Sequence, residues 1–138
     1  MLIIYPQKAV YNKFMRNEEQ LHLLVCDYLR MQYPNVLFRT DLGGVKLTMG
    51  QAIKVKRLNG GRRAWPDLFI AACRGGYAGL FIELKNTNIY RKDGTLLKNE
   101  HLSEQAKMLD SLKQAGYQTT FAVGFAGAKD AIDTYLSS

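Results

Sequence analysis

Apolar and polar positions along this chain follow two periods, one helical and one alternating, and the switches between them predict its elements. Over residues 18–32, Leu21, Val25, Tyr28 and Leu29 recur on one helical stripe. A helix is expected there, capped by Asn17 and stopped by Tyr33-Pro34-Asn35. Residues 36–40 read as a short strand and Asp41-Leu42-Gly43-Gly44 as a turn. A second helix is expected over 47–58, closed by Asn59-Gly60-Gly61. Two apolar runs, 67–71 and 79–85, flank a Gly75-Gly76 pair and predict a hairpin. A polar segment, 86–101, turns at Asp93-Gly94. Ser103 then opens a helix that ends near Ala115-Gly116. Residues 117–123 predict another strand and 128–136 a last helix. Helices interleaved with strands in this order imply an α/β sandwich around a mixed sheet. No repeat, low-complexity tract or proline-rich linker divides the 138 residues, so one domain is expected over 1–138.

Composition narrows the function. An apolar fraction of 47% excludes a disordered chain. Nineteen Lys and Arg against twelve Asp and Glu leave a net charge of +7, which points to a polyanionic partner such as nucleic acid. The charge is uneven: Lys46, Lys54, Lys56, Arg57, Arg62 and Arg63 form a stretch with no acid among them. A solvated surface helix and loop would show the same run. No apolar stretch approaches the roughly 18 residues that span a bilayer, and residues 1–5 are too short for a signal-peptide core, so a cytoplasmic protein is expected. Cys26 and Cys73 lie far apart in apolar surroundings, as reduced core thiols would. With His22 and His101 they show no zinc-ligand spacing, so any metal would be held by oxygens. His22 reads as a core or boundary residue.

Candidate chemistry lies where acids enter apolar elements. Glu83 ends the apolar run 80–82, and strand alternation puts Glu83 and Lys85 on one face and Leu84 on the other. Asp67 begins the neighbouring strand directly after Trp65-Pro66. A carboxylate at a partly buried strand end is costly without compensation, and two together repel unless a divalent cation neutralises both. Singly, Asp67 as a turn residue and Glu83–Lys85 as a surface ion pair are ordinary; together, in a basic protein, they suggest a site. Gln105 shares its stripe with Met108, Leu109 and Leu112, at offsets of three, four and seven, and should face the sheet. Its partner there is either a backbone carbonyl or the active site. Glu18 leads the stripe of Leu21, Val25 and Leu29 and should turn inward, either to the site or simply to complement the helix N-terminus. Glu19, on a more mixed face with His22, Leu23 and Cys26, ranks below it.

Trp65-Pro66-Asp67-Leu68 followed by Phe81-Ile82-Glu83-Leu84-Lys85 resembles the PD-(D/E)-x-K nuclease signature. An inward Glu on the first helix, Gly43-Gly44 before a basic helix, Leu102-Ser103-Glu104-Gln105 and Ala115-Gly116-Tyr117 narrow the likeness to the small VRR-NUC branch. The resemblance runs from about Glu18 to the C-terminus. One departure is that much of the branch has a glycine before the Pro-Asp, where this chain has Ala64-Trp65.

That resemblance implies a restriction-endonuclease-like sandwich and an Mg²⁺- or Mn²⁺-dependent endodeoxyribonuclease. Asp67, Glu83 and the Leu84 carbonyl would bind the metal, with Glu18 completing the shell directly or through water. Lys85 would orient or activate the attacking water, and Gln105 would position Lys85 or that water. Lys46, Lys54, Lys56, Arg57, Arg62 and Arg63 would hold the phosphate backbone, fixing position without reading sequence. Stand-alone members of the branch occur in bacteriophages and are similar to Holliday-junction resolvases. The implied substrate is therefore branched DNA, cut by a homodimer inside a bacterial host cell. Flaps, forks or plain duplex are other substrates compatible with the same chemistry. A binding module that keeps the fold without cutting is the rival of a different class.

Overall fold

Asn17 starts the first helix as its side chain allows: Oδ1 accepts the Gln20 N–H at 2.9 Å. Helix α1 runs over Glu18–Gln32, as the periodicity predicts. The computed structural model describes residues 17–41 and 46–138, so the expected Gly43-Gly44 turn lies outside the described residues. After α1 come β1 (Phe38–Thr40), α2 (Met49–Leu58), β2 (Leu68–Ile70), β3 (Leu80–Lys85), α3 (Glu100–Gln114), β4 (Gln118–Val123) and α4 (Gly124–Leu136).

The strands form one sheet in the order β1-β2-β3-β4. β1 pairs antiparallel with β2, and β2 with β3, in the register Leu68↔Ile82 and Ile70↔Leu80; this is the expected hairpin. β3 and β4 run parallel, which requires a crossover, and α3 supplies it. The sheet is therefore mixed.

Alternation along the strands sorts the two faces. Leu68, Ile70, Leu80, Ile82, Leu84 and Ala122 join Leu21, Val25 and Leu29 of α1 and Ala128, Ile132 and Tyr135 of α4 in the main core. The α1–α4 contact carries a polar clasp at its edge. Tyr28 and Tyr33 both donate to Asp133 Oδ1, at 2.5 and 2.6 Å, and Lys129 donates to Oδ2 at 2.9 Å. Burial disfavours the Asp133 charge, but these three donors outweigh it and hold the carboxyl below its ordinary pKa. On the opposite face lie Phe69, Phe81, Glu83 and Lys85, covered in part by α3.

Several boundaries differ from expectation for identifiable reasons. Thr48 caps α2 through a reciprocal pair with Gln51, so that helix starts at Met49 rather than 47. Asn99 caps α3 four residues before Ser103, accepting from the Leu102 N–H. α4 begins at Gly124, directly after β4, with no side-chain cap to announce it; Gly124 turns the chain at φ 70°. Cys26 is buried and free as expected, but Cys73 is exposed, because it lies past the end of β2 where burial has ceased. No helix among the described residues is long and apolar enough to cross a membrane.

Candidate active site

The end of the sheet where β3 finishes and β2 begins gathers the charged residues. Glu83 is 4% exposed and Lys85 7%, both on the face away from the main core. The β2–β3 register extends one step to set Asp67 across from Glu83. Asp67 Oδ2 accepts the Leu84 N–H at 2.8 Å, which fixes its carboxylate against β3. Lys85 Nζ lies 3.9 Å from Glu83 Oε1 and 3.9 Å from Glu18 Oε1, so the ammonium sits between the two acids. Gln105, buried as its phase on α3 predicts, donates through Nε2 to Glu83 Oε1 at 2.8 Å.

Electrostatics make this cluster unusual. Burial, and then the negative charge of Asp67 beside it, push the Glu83 carboxyl up to about 9; Lys85 opposes the shift and only reduces it. Glu83 Oε2 is buried with no hydrogen-bond partner, as is Gln105 Oε1. A fold that only needed a strand here would place an apolar side chain at 83. The donors present are hard oxygens on two adjoining acids at the end of β3, the chemistry that divalent Mg²⁺ or Mn²⁺ prefers. Among the described residues no group of three or more His, Cys, Asp or Glu side chains is tight enough to hold an ion alone.

No protein-family description matches the chain, and no curated protein matches it. A solved structure titled "VRR_NUC domain protein" does, with a TM-score of 0.59 over 87% of this chain and 88% of that one, at 22% identity. The fold is that of a VRR_NUC domain. It is the restriction-endonuclease-like α/β sandwich that the order of motifs implies.

Within this VRR_NUC fold the remaining sequence candidates take different places. Glu18 faces Lys85 but is 51% exposed, less enclosed than its stripe position implies, because burial in α1 begins only at Leu21. Glu18, Glu19, His22, Asp41 and Asp67 line one crevice beside the buried pair. His22 is half-buried there, with Nε2 lacking a partner, as a boundary residue. Lys46, Lys54, Lys56, Arg57, Arg62 and Arg63 are all exposed, on α2 and the segments that flank it. None enters the carboxylate cluster.

Two features escape the sequence reading. His101 Nε2 lies 3.2 Å from Gln105 Nε2, which joins the histidine to the site through the amide. The spacing of four residues is the signal, but it counts only once α3 is known to begin at Glu100. The other is an aromatic cluster on the site's own face of the sheet. Phe69 and Phe81 stack with centroids 4.5 Å apart, and Trp65 lies 6.2 Å from Phe81. Strand alternation puts Phe69 and Phe81 opposite the core, yet a run of apolar residues in a covered sheet hides that distinction.

Proposed function

We propose that this chain is a divalent-cation-dependent DNA endonuclease that cuts branched DNA, such as Holliday junctions, as a homodimer. The observation that carries the reading is the buried Glu83 with half-buried Asp67 across from it, and Lys85 and Gln105 against Glu83. The VRR_NUC fold and the exposed cations of α2 support it. Asp67, Glu83 and the Leu84 carbonyl would hold Mg²⁺ or Mn²⁺, with Glu18 completing the set from the rim. The chemistry such an ion would supply there is water activation and compensation of charge on the phosphate for in-line attack.

The chain's own groups divide the remaining work. Gln105 holds Glu83 Oε1 in place, which orients the carboxylate it bonds. Lys85, a compact cation on a flexible stem, positions the attacking water and balances the charge that develops on the phosphoryl oxygens. Lys46, Lys54, Lys56, Arg57, Arg62 and Arg63 grip the phosphate backbone without selecting a base sequence. A two-fold dimer would supply the paired sites that symmetric resolution of a junction needs. The same motif likeness has the enzyme acting in the bacterial cytoplasm, encoded by a phage or prophage.

Cleavage of a labelled four-way junction with Mg²⁺ or Mn²⁺ tests the proposal, comparing wild type with Asp67→Ala, Glu83→Ala and Lys85→Ala. Product from wild type alone supports it. Undiminished cutting by the Asp67 and Glu83 variants removes the site.

A further inference from the structure

A pocket of about 440 Å³ opens beside the carboxylate cluster, within the size range of small-ligand sites. Its floor is the stacked Phe69–Phe81 pair, inclined at 24°, and its wall on one side is Val55 and Leu58 of α2. Tyr117 packs edge-on to both rings, at 5.8 and 5.0 Å. Trp65 stands at the mouth, half-buried, with its ring tilted 52° to Phe81.

The surroundings of these rings are cationic. Arg39 is the cross-strand partner of Phe69, is exposed, and lines the same pocket. Lys54, Lys56, Arg57, Arg62 and Arg63 all lie on α2 or in the segment that leads from it to Trp65, and all are exposed. An apolar pocket meant for a protein side chain has no use for Arg39 in its lining and for so many cations on the helix and segment that border it. Aromatic faces set within a basic surface are the means by which proteins take unpaired bases, the rings accepting the base and the cations its phosphates.

Position ties the pocket to the chemistry. Phe81 and Glu83 are two residues apart on one face of β3, about 6.6 Å along the strand. Trp65 and Pro66 immediately precede Asp67, and the Asp41 N–H, at the pocket's rim, bonds the Asp67 carbonyl at 2.9 Å. Ala64 holds a φ of 64°, a left-handed conformation that costs a non-glycine residue energy. Strain of that kind persists where the surroundings impose it, and here it fixes the turn that delivers Trp65.

We infer that the pocket formed by Trp65, Phe69 and Phe81 binds an unpaired nucleobase of the substrate strand, next to the phosphate presented to Asp67 and Glu83. In duplex DNA both faces of a base are covered by its neighbours. The pocket therefore selects DNA with a single-stranded element, a flap, fork arm or open junction centre, over continuous duplex. The selection for cleavage rests on the nuclease reading above, whereas the binding does not.

Trp65 is the chain's single tryptophan, so its emission reports on the pocket alone. Wild type in EDTA is titrated with a single-stranded DNA oligonucleotide and with one of equal length carrying abasic residues, which keeps the phosphates and removes the bases. The base-containing strand quenches Trp65 emission and, by anisotropy, binds about tenfold tighter. Trp65→Phe keeps this preference. Trp65→Ala loses it while keeping the salt dependence of binding. Equal affinity of wild type for the two strands, without quenching, overturns the inference whether or not the variants fold. Junction and flap cleavage in Mn²⁺ is scored separately. A base preference without cutting upholds the pocket and removes the nuclease reading, and cutting without a base preference does the reverse.

Discussion

Gln105 Nε2 lies 2.8 Å from Glu83 Oε1, and both side chains are more than nine-tenths buried. The amide is the hydrogen-bond donor that the structure gives this carboxyl, since Lys85 stands off at 3.9 Å and Oε2 has no partner. Removing it by Gln105→Ala leaves a second buried oxygen unpaired, at a cost of about 1–3 kcal/mol. The variant should melt several degrees lower than wild type and cut DNA about 10- to 100-fold more slowly. Gln105→Glu should lower the melting point as well, by setting a further acid against Glu83. Calorimetry alongside a single-turnover cleavage assay checks both; unchanged stability would mean that the amide contact is dispensable.

The Glu83 proton links stability to pH. Its carboxyl is raised from 4.5 to about 9 in the fold, so between those values the folded chain holds a proton that the unfolded chain releases. This contribution is complete below pH 4.5 and declines as pH rises toward 9, by up to roughly 1 kcal/mol per pH unit. Without divalent cations the melting temperature should therefore fall from pH 6 to pH 9, and Glu83→Gln should flatten that fall.

A cation must displace the same proton, so Mn²⁺ should raise the melting temperature more at pH 8 than at pH 6. The increment should vanish in Glu83→Gln. An equal increment at both pH values, or one that survives in the variant, would place the ion elsewhere.

These predictions depend on details of unequal legibility in the sequence. Strand alternation was enough to put Glu83 and Lys85 on one face, and the offsets to Leu109 and Leu112 to turn Gln105 toward the sheet. Both placements follow from the period of an element alone. The Asp67–Leu84 hydrogen bond needs the register between two strands, which no local pattern contains. His101 joins the site only if α3 starts at Glu100 with Asn99 as its cap, and an asparagine in a polar segment does not distinguish a cap from a loop. The exposure of α2 is hidden for a similar reason. Met49 and Ile53 are apolar yet 82% and 62% exposed, because a helix needs a neighbour to bury its stripe and this one has no buried residue.

That exposure bears on binding. Arg57, Arg62 and Arg63 make few demands on the fold, so replacing each by Ala should change stability by no more than about 0.5 kcal/mol. If each grips a phosphate, each replacement should reduce the slope of log affinity against log salt by about 0.7–0.9. Anisotropy titrations of a junction across a range of salt measure this. A slope that stays constant across all three variants would move the DNA to another face.

Ala64 offers a test of the backbone alone. Its φ of 64° costs an L residue about 1–2 kcal/mol, and Gly adopts it freely. Ala64→Gly also loosens the unfolded chain, which returns about 0.4–1 kcal/mol. Relief exceeds that loss, so the variant should be more stable by about 0.5–1 kcal/mol in chemical denaturation, with an unchanged denaturant slope. Function should respond in the opposite direction. A glycine frees the turn that holds Trp65 against Phe81, so quenching of Trp65 by single-stranded DNA should weaken even as the protein gains stability. A variant less stable than wild type would show that the methyl group of Ala64 makes packing contacts worth more than the strain.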